Sequence, residues 1–259
     1  MPRPRLRGWI AATAWLILVG GANAWADGSV SEAQLEMFLG LTPPMGLNSG
    51  DLSNLGNGPV TSGSAIMQTI MVSAGATLSF DYDFLTNAPP PSTNPLGAVD
   101  PFGFITNPTL MSVVDNFYDY PATMAAAPPQ SGFMYQSGYQ MFTETFAMGG
   151  TYSLGIGVAN VTTDEYSSGL LVDNFSLTGG SLANGTFSSG DFTGWQTIGN
   201  TSIVTSAFGI SPENGTYQAL ISTGVPEPST IVLLAVGCLG AAAFIRRHGS
   251  RRATGSLGC

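Results

Sequence analysis

The stretch Ala76-Thr-Leu-Ser-Phe-Asp-Tyr-Asp-Phe-Leu-Thr86 alternates without a break: Leu78, Phe80, Tyr82 and Phe84 fall on one side, Ser79, Asp81 and Asp83 on the other. A period of two is that of a β-strand with one buried face. Upstream, Ile66, Gln68 and Ile70 alternate with Met67, Thr69 and Met71, and Ser73-Ala-Gly75 offers a short turn between the two runs. The pair is expected to form a β-hairpin.

The same signal recurs along the chain. Tyr152, Leu154, Ile156 and Val158 alternate with Ser153, Gly155 and Gly157, and further strands are expected over 139–146, 169–177, 201–205 and 216–222. Short strands separated by Gly, Asn and Pro favour an all-β sandwich. One helix is expected near the start: Ser29-Val-Ser-Glu32 has the spacing of a capping box, Leu35, Phe38 and Leu39 share a face, and Gly40 is a stop. The proline-rich stretches 88–95 and 125–130 read as long loops on one domain of residues 27–224.

Composition removes most chemistry from that domain. The chain has no lysine, and all seven arginines lie at its two ends, so residues 27–225 contain no basic side chain. The 16 acids all fall between Asp27 and Glu227, which gives this segment a side-chain charge of 0 − 16 = −16. Nucleic acid and anionic membrane surfaces are excluded as electrostatic partners. The only histidine, His248, and both cysteines, Cys238 and Cys259, lie beyond residue 227. Serine-histidine triads, cysteine nucleophiles, histidine-bound zinc and lysine Schiff bases therefore have no residues to be built from in the body. Carboxylate and hydroxyl chemistry survives.

The two ends read as addresses. Arg3, Arg5 and Arg7 precede an apolar run from Trp9 to Val19, and Ala22-Asn23-Ala24 or Ala24-Trp25-Ala26 offers a small-x-small cleavage site. Residues 1–26 are thus expected to be a signal peptide. At the other end, the uncharged run 230–245 is just long enough for a transmembrane helix, and Arg246, Arg247, Arg251 and Arg252 follow as a membrane stop that keeps the 253–259 tail cytoplasmic.

Val225-Pro226-Glu227-Pro228-Ser229, followed by a short glycine-containing apolar helix and an arginine cluster, resembles the PEP-CTERM sorting signal of Gram-negative bacteria, here over residues 225–252. The resemblance implies recognition by an exosortase, an integral-membrane protease. It further implies export through the inner membrane, transient anchoring by the C-terminal helix, and a destination at the cell surface or outside, often with exopolysaccharide in a biofilm matrix.

A second resemblance lies at Leu182-Ala-Asn-Gly-Thr-Phe-Ser-Ser-Gly-Asp-Phe-Thr-Gly-Trp195, which is similar to the opening strand of jelly-roll carbohydrate-binding modules, with Trp195 in the core. In those modules this strand comes first and one like Leu170–Leu177 comes last, so the order here is reversed. A circular permutation accounts for it, and an incomplete second repeat is the rival account. The expected fold is therefore a jelly-roll-like β-sandwich with one short N-terminal helix, a signal helix and a C-terminal transmembrane helix.

Three candidate sites follow. Asp173 falls by alternation on the face of Leu171, Phe175 and Leu177, where a lone carboxylate needs donors or a metal. The resemblance to jelly-roll modules implies calcium there, shared with carbonyls of the opening strand, although Ser188 stands where those modules carry a glutamate. Asp115, Phe117, Tyr118, Asp119 and Tyr120 form the densest aromatic and acidic cluster, suited to stacking on sugar rings and accepting hydroxyl hydrogens. The alternative function is a glycoside hydrolase, which needs two carboxylates roughly 5–10 Å apart across a cleft. No pair among the 16 acids is singled out by spacing, so a non-catalytic binding or structural role is expected.

Overall fold

The computed structural model describes residues 28–46, 49–55, 58–88, 101–107, 110–116 and 124–224. One short helix, α1 (Glu32–Leu39), accompanies eleven strands: β1 (Val60–Thr86), β2 (Phe102–Asn107), β3 (Leu110–Asn116), β4 (Ala125–Ala126), β5 (Tyr135–Gln136), β6 (Gln140–Phe146), β7 (Gly150–Val161), β8 (Ser168–Ser181), β9 (Gln196–Ile198), β10 (Asn200–Val204) and β11 (Gln218–Ser222). All eleven belong to one antiparallel sheet, ordered β10-β11-β8-β1-β7-β2-β3 with the other strands branching from β1 and β5. The described residues are mostly β-strand, as the alternation predicts. The signal and transmembrane helices lie outside the described residues.

The expected hairpin does not form. β1 is a single strand of 27 residues whose two arms pair with different partners, Val60–Val72 with β7 and Ala76–Tyr82 with β6. Between the arms the ladder with β8 jumps from Val72↔Gly180 to Thr77↔Thr178, and Gly75 takes the left-handed conformation, φ 80°, that the reversal needs. The chain does turn at 73–75, but its arms stack face to face. Ile66, Ile70 and Val72 of one arm share a core with Leu78, Phe80, Tyr82 and Phe84 of the other, and with Leu154, Ile156 and Val158 of β7 and Leu170 and Val172 of β8. Both arrangements bury the same side chains, so alternation alone does not choose between them.

β6 and β7 follow the same path beside β1, reversing at 147–149. The free ends of the arms then meet at the opposite end of the molecule. There the Thr223 hydroxyl donates to Asn160 Oδ1 (3.0 Å) and accepts from the Ser168 amide (2.9 Å), and the Asn87 amide donates to the Ser167 carbonyl (2.9 Å).

Helix α1 lies on the outer face of the first arm. Leu35 and Leu39 join Phe102, Phe104, Ala159 and Val161 in a second core. Its seat is made by outward glycines of β7: a Cβ added at Gly155 would press into Leu39 and lie 2.6 Å from Thr106 Oγ1. The helix caps two residues later than its first serine suggests, for the box is Ser31 with Gln34 in place of Ser29 with Glu32, the Ser31 amide donating to Gln34 Oε1 at 3.2 Å. A third apolar layer, Leu85, Leu171 and Leu220 under Phe133 and Ile210, covers the outer face of the second arm.

One further correction concerns the jelly-roll resemblance. Residues 182–195 are turns, not a strand, although Phe187 and Trp195 are buried in the main core as their spacing implies. Phe175 lies 5.1 Å from Trp195 and 6.1 Å from Phe187, ring centre to ring centre. The final 40 residues do pair upstream, β11 with β8 and β10 with β11, which is against the unpaired segment that an incomplete repeat requires. Strands β2 and β3 are absent from the sequence reading because neither alternates: Phe104 faces the helix side and Ile105 the main core, so both faces are apolar.

Candidate functional site

The described acids that leave solvent do so in two places, both without a cation. The first is on the outer face of β1 and β8. Asn174 adopts φ 55° and inserts a bulge, since Ser79 opposes Ser176 while Asp81 opposes Asp173. One extra residue flips every side chain that follows. Asp173 therefore shares its face with Leu171, while Phe175 and Leu177 point to the main core, correcting the single face that simple alternation gives.

Asp173 is fully buried, and the loop 211–217 closes over it. Its Oδ2 accepts from the Asn214 amide at 2.7 Å, and the Asn214 side chain donates to Asn174 Oδ1 at 3.0 Å. Asn174 in turn donates to Asp81 Oδ2 at 2.8 Å. Beside them Tyr139 donates to Gln218, Gln218 donates to the Ile210 carbonyl at 2.8 Å, and Ser137 donates to Asp83 Oδ1 at 3.2 Å. Asp173 Oδ1 has no hydrogen-bond partner. Burial pushes the Asp173 carboxyl above the ordinary aspartate range, and the nearby Asp81 charge adds to this against the Asn214 amide. Burial likewise raises the Tyr139 hydroxyl, helped by Asp83, Asp173, Glu213 and Asp81, so the phenol stays protonated and remains a donor.

The calcium implied at Asp173 does not find its other ligands. Residues 182–195, whose carbonyls were to complete the site, pack through Phe187 and Trp195 on the core side of β8, and Asp173 faces the other way. Among the described residues no three acidic, histidine or cysteine side chains are placed to hold a metal ion. The groups that do reach Asp173, the Asn214 amide and the Asn214–Asn174–Asp81 chain, tie down a covering loop and do not make a ligand set.

The second place is under α1. Glu32, Leu35, Glu36 and Leu39 form one buried stripe, and the two glutamates clasp the loop 50–53. Glu36 Oε1 accepts from the Leu52 amide at 2.7 Å, and Glu32 Oε1 from the Ser53 amide at 2.8 Å and the Ser53 hydroxyl at 2.5 Å. Glu36 is 0% exposed and its Oε2 is unpartnered. Desolvation pushes its carboxyl up to about 7, and the Glu32 and Asp51 charges add to this while the Leu52 amide opposes it. Sequence reading missed this clasp. Its signal was two acids on the apolar stripe of a short helix, which is legible once the helix register is right.

The remaining candidates divide. Asp115 lies in β3, paired with Gly103 of β2, at the end of the strand order. Phe117, Tyr118, Asp119 and Tyr120 lie outside the described residues, as do Val225, Pro226, Glu227, Pro228 and Ser229 and the arginines 246, 247, 251 and 252.

Comparison with family models gives a match to the PEP-CTERM protein-sorting motif over residues 224–252. The chain carries that motif, which implies export in a Gram-negative cell and membrane anchoring through the C-terminus before processing by an exosortase. Comparison with curated proteins and with solved structures gives no match.

Proposed function

We propose that the body, residues 27–224, is a non-catalytic binding or structural module of the cell surface or extracellular matrix, delivered by its tail and associated with exopolysaccharide. The reading takes the folded sheet as a jelly-roll-like β-sandwich in circularly permuted order. Its two ends support the permutation. Val30 bridges Gly63, and the Ser64 hydroxyl accepts from the Asn200 amide (2.9 Å) and donates to the Ser222 carbonyl (2.7 Å), so the end of β11 arrives beside the part of β1 that Val30, just before α1, also pairs with.

The observation that carries the non-catalytic reading is the use made of the carboxylates. Asp83, Asp173, Glu32 and Glu36 are buried and hold backbone amides or serine hydroxyls of covering loops, which is structural work. With no lysine, arginine, histidine or cysteine in the body, little else is left to act as base or nucleophile. Sugar recognition falls to the segment that follows Asp115.

The test is electrophoresis of the processed protein through gels containing the exopolysaccharide of its own cells, with a reducing-end assay on the same mixture. Retardation without release of reducing ends is expected. Release that disappears on replacing a single carboxylate would establish the hydrolase instead, and free migration would leave a purely structural role.

A further inference from the structure

The sorting motif begins at Gly224, the last described residue of the body, and the residues just before it are held in the fold. Thr223 is 1% exposed; its amide donates to the Ser168 carbonyl at 2.8 Å, and its hydroxyl is held by Asn160 and Ser168. Gly224 is packed as well: its carbonyl accepts from the Ser222 hydroxyl at 2.8 Å, and an added Cβ would collide with Ser167. The motif match starts at residue 224 itself.

Six residue steps separate Gly224 from the start of the apolar run at Thr230. Fully extended they span at most about 20 Å. Headgroups on one side of a bilayer take up roughly 6 Å of that, so about 14 Å is left between the lipid surface and the folded body. That gap is thinner than a small protein domain. A protease that closes around residues 225–229 has to touch the body.

The surface it meets is set by the fold. Gly224 emerges beside the loop 162–167, which joins β7 to β8. The Thr162 amide donates to the Pro59 carbonyl at 2.9 Å, and Asp164 accepts from the Thr61 hydroxyl (2.7 Å) and the Ser62 hydroxyl (2.5 Å), which pins the loop to the start of β1. Glu165 is exposed on it. This end therefore presents two carboxylates in a body without a single basic side chain, and an anionic lipid surface repels it.

We propose that this end, made of the 162–167 loop and Ser222–Gly224, is the docking face for the exosortase, which offers it a neutral or basic extramembrane surface. The inference rests on the sorting motif and on the length of chain beyond Gly224. The opposite end, at the 147–149 reversal, is about 36 Å away along β7 and makes no contact with the enzyme.

The test uses the full chain in cells that contain the exosortase, with the photo-crosslinking residue p-benzoylphenylalanine introduced as Glu165→p-benzoylphenylalanine or, as a control, Met148→p-benzoylphenylalanine. Both positions are exposed, so the fold should tolerate them, and circular dichroism of the processed proteins checks this. An exosortase adduct is expected from position 165 and none from 148, and a ten-residue Gly-Ser insertion after Gly224 should reduce the adduct at least several-fold. Tail cleavage with no adduct at 165, equal adducts at both positions, or adducts to lipid alone would overturn the interface. Failure of the unsubstituted chain to be cleaved at all would overturn the processing step on which it rests.

Discussion

Two residues show most directly what holds this cation-free body together. Trp195, named in the sequence by its place after a run of glycines and phenylalanines, packs at a tilt against Phe175 and Phe187 in the main core. Trp195→Ala removes that contact and leaves a cavity, so denaturant unfolding should show a loss of about 3–5 kcal/mol. Glu36 acts in the opposite sense. Its carboxyl ionises near 4.5 in the unfolded chain and near 7 in the fold. Below the lower value both states are protonated and stability is at its greatest. As pH rises toward 7 the unfolded chain releases its proton first, and stability falls. Asp173, also raised, contributes with the same sign. The midpoint of thermal unfolding should therefore drop by a few degrees between pH 5 and pH 8, and Glu36→Gln should flatten much of that slope. A midpoint that rises across this interval would show that Glu36 is not held protonated against Glu32 and Asp51.

At the scale of elements, alternation located most of the strands and their inner faces but not their partners. β1 illustrates the limit, because a turn at 73–75 is compatible with two hydrogen-bonded arms or with two stacked ones, and only the long-range ladders with β6 and β7 decide. The bulge at Asn174 marks a second limit, since a single residue at positive φ reverses the facing of Asp173 relative to Phe175. No neighbouring glycine or proline announces it. Glycines test this picture by two different mechanisms. At Gly75 nothing lies within 4 Å of an added Cβ, so Gly75→Ala should cost only the strain of φ 80°, roughly 1 kcal/mol. At Gly157 the added Cβ meets the Ser64 carbonyl and comes within 2.5 Å of Phe104, so Gly157→Ala should cost more, about 1–3 kcal/mol, and loosen the seat of α1. Urea unfolding of the two variants side by side ranks them, and equal losses would contradict the packing described for β7.

For the molecule as a whole, function is legible at the ends and sparse in the middle. The sorting tail is read from contiguous residues, Val225 to Arg252, because an address must be recognised as a linear segment, and the family match covers the same stretch. The acidic cluster around Asp173 is assembled from residues as far apart as Asp81 and Asn214, joined only by the folded sheet, so spacing along the chain does not bring its members together. In the proposed function the chain is a cargo between two removable addresses, and the intact mass of the protein recovered outside the cell tests that most directly. A single species beginning near Asp27 and ending within residues 225–229 is predicted, its fold complete to Gly224. Recovery of a form that retains the arginines at 246–252, or loss of residues from β11, would contradict it.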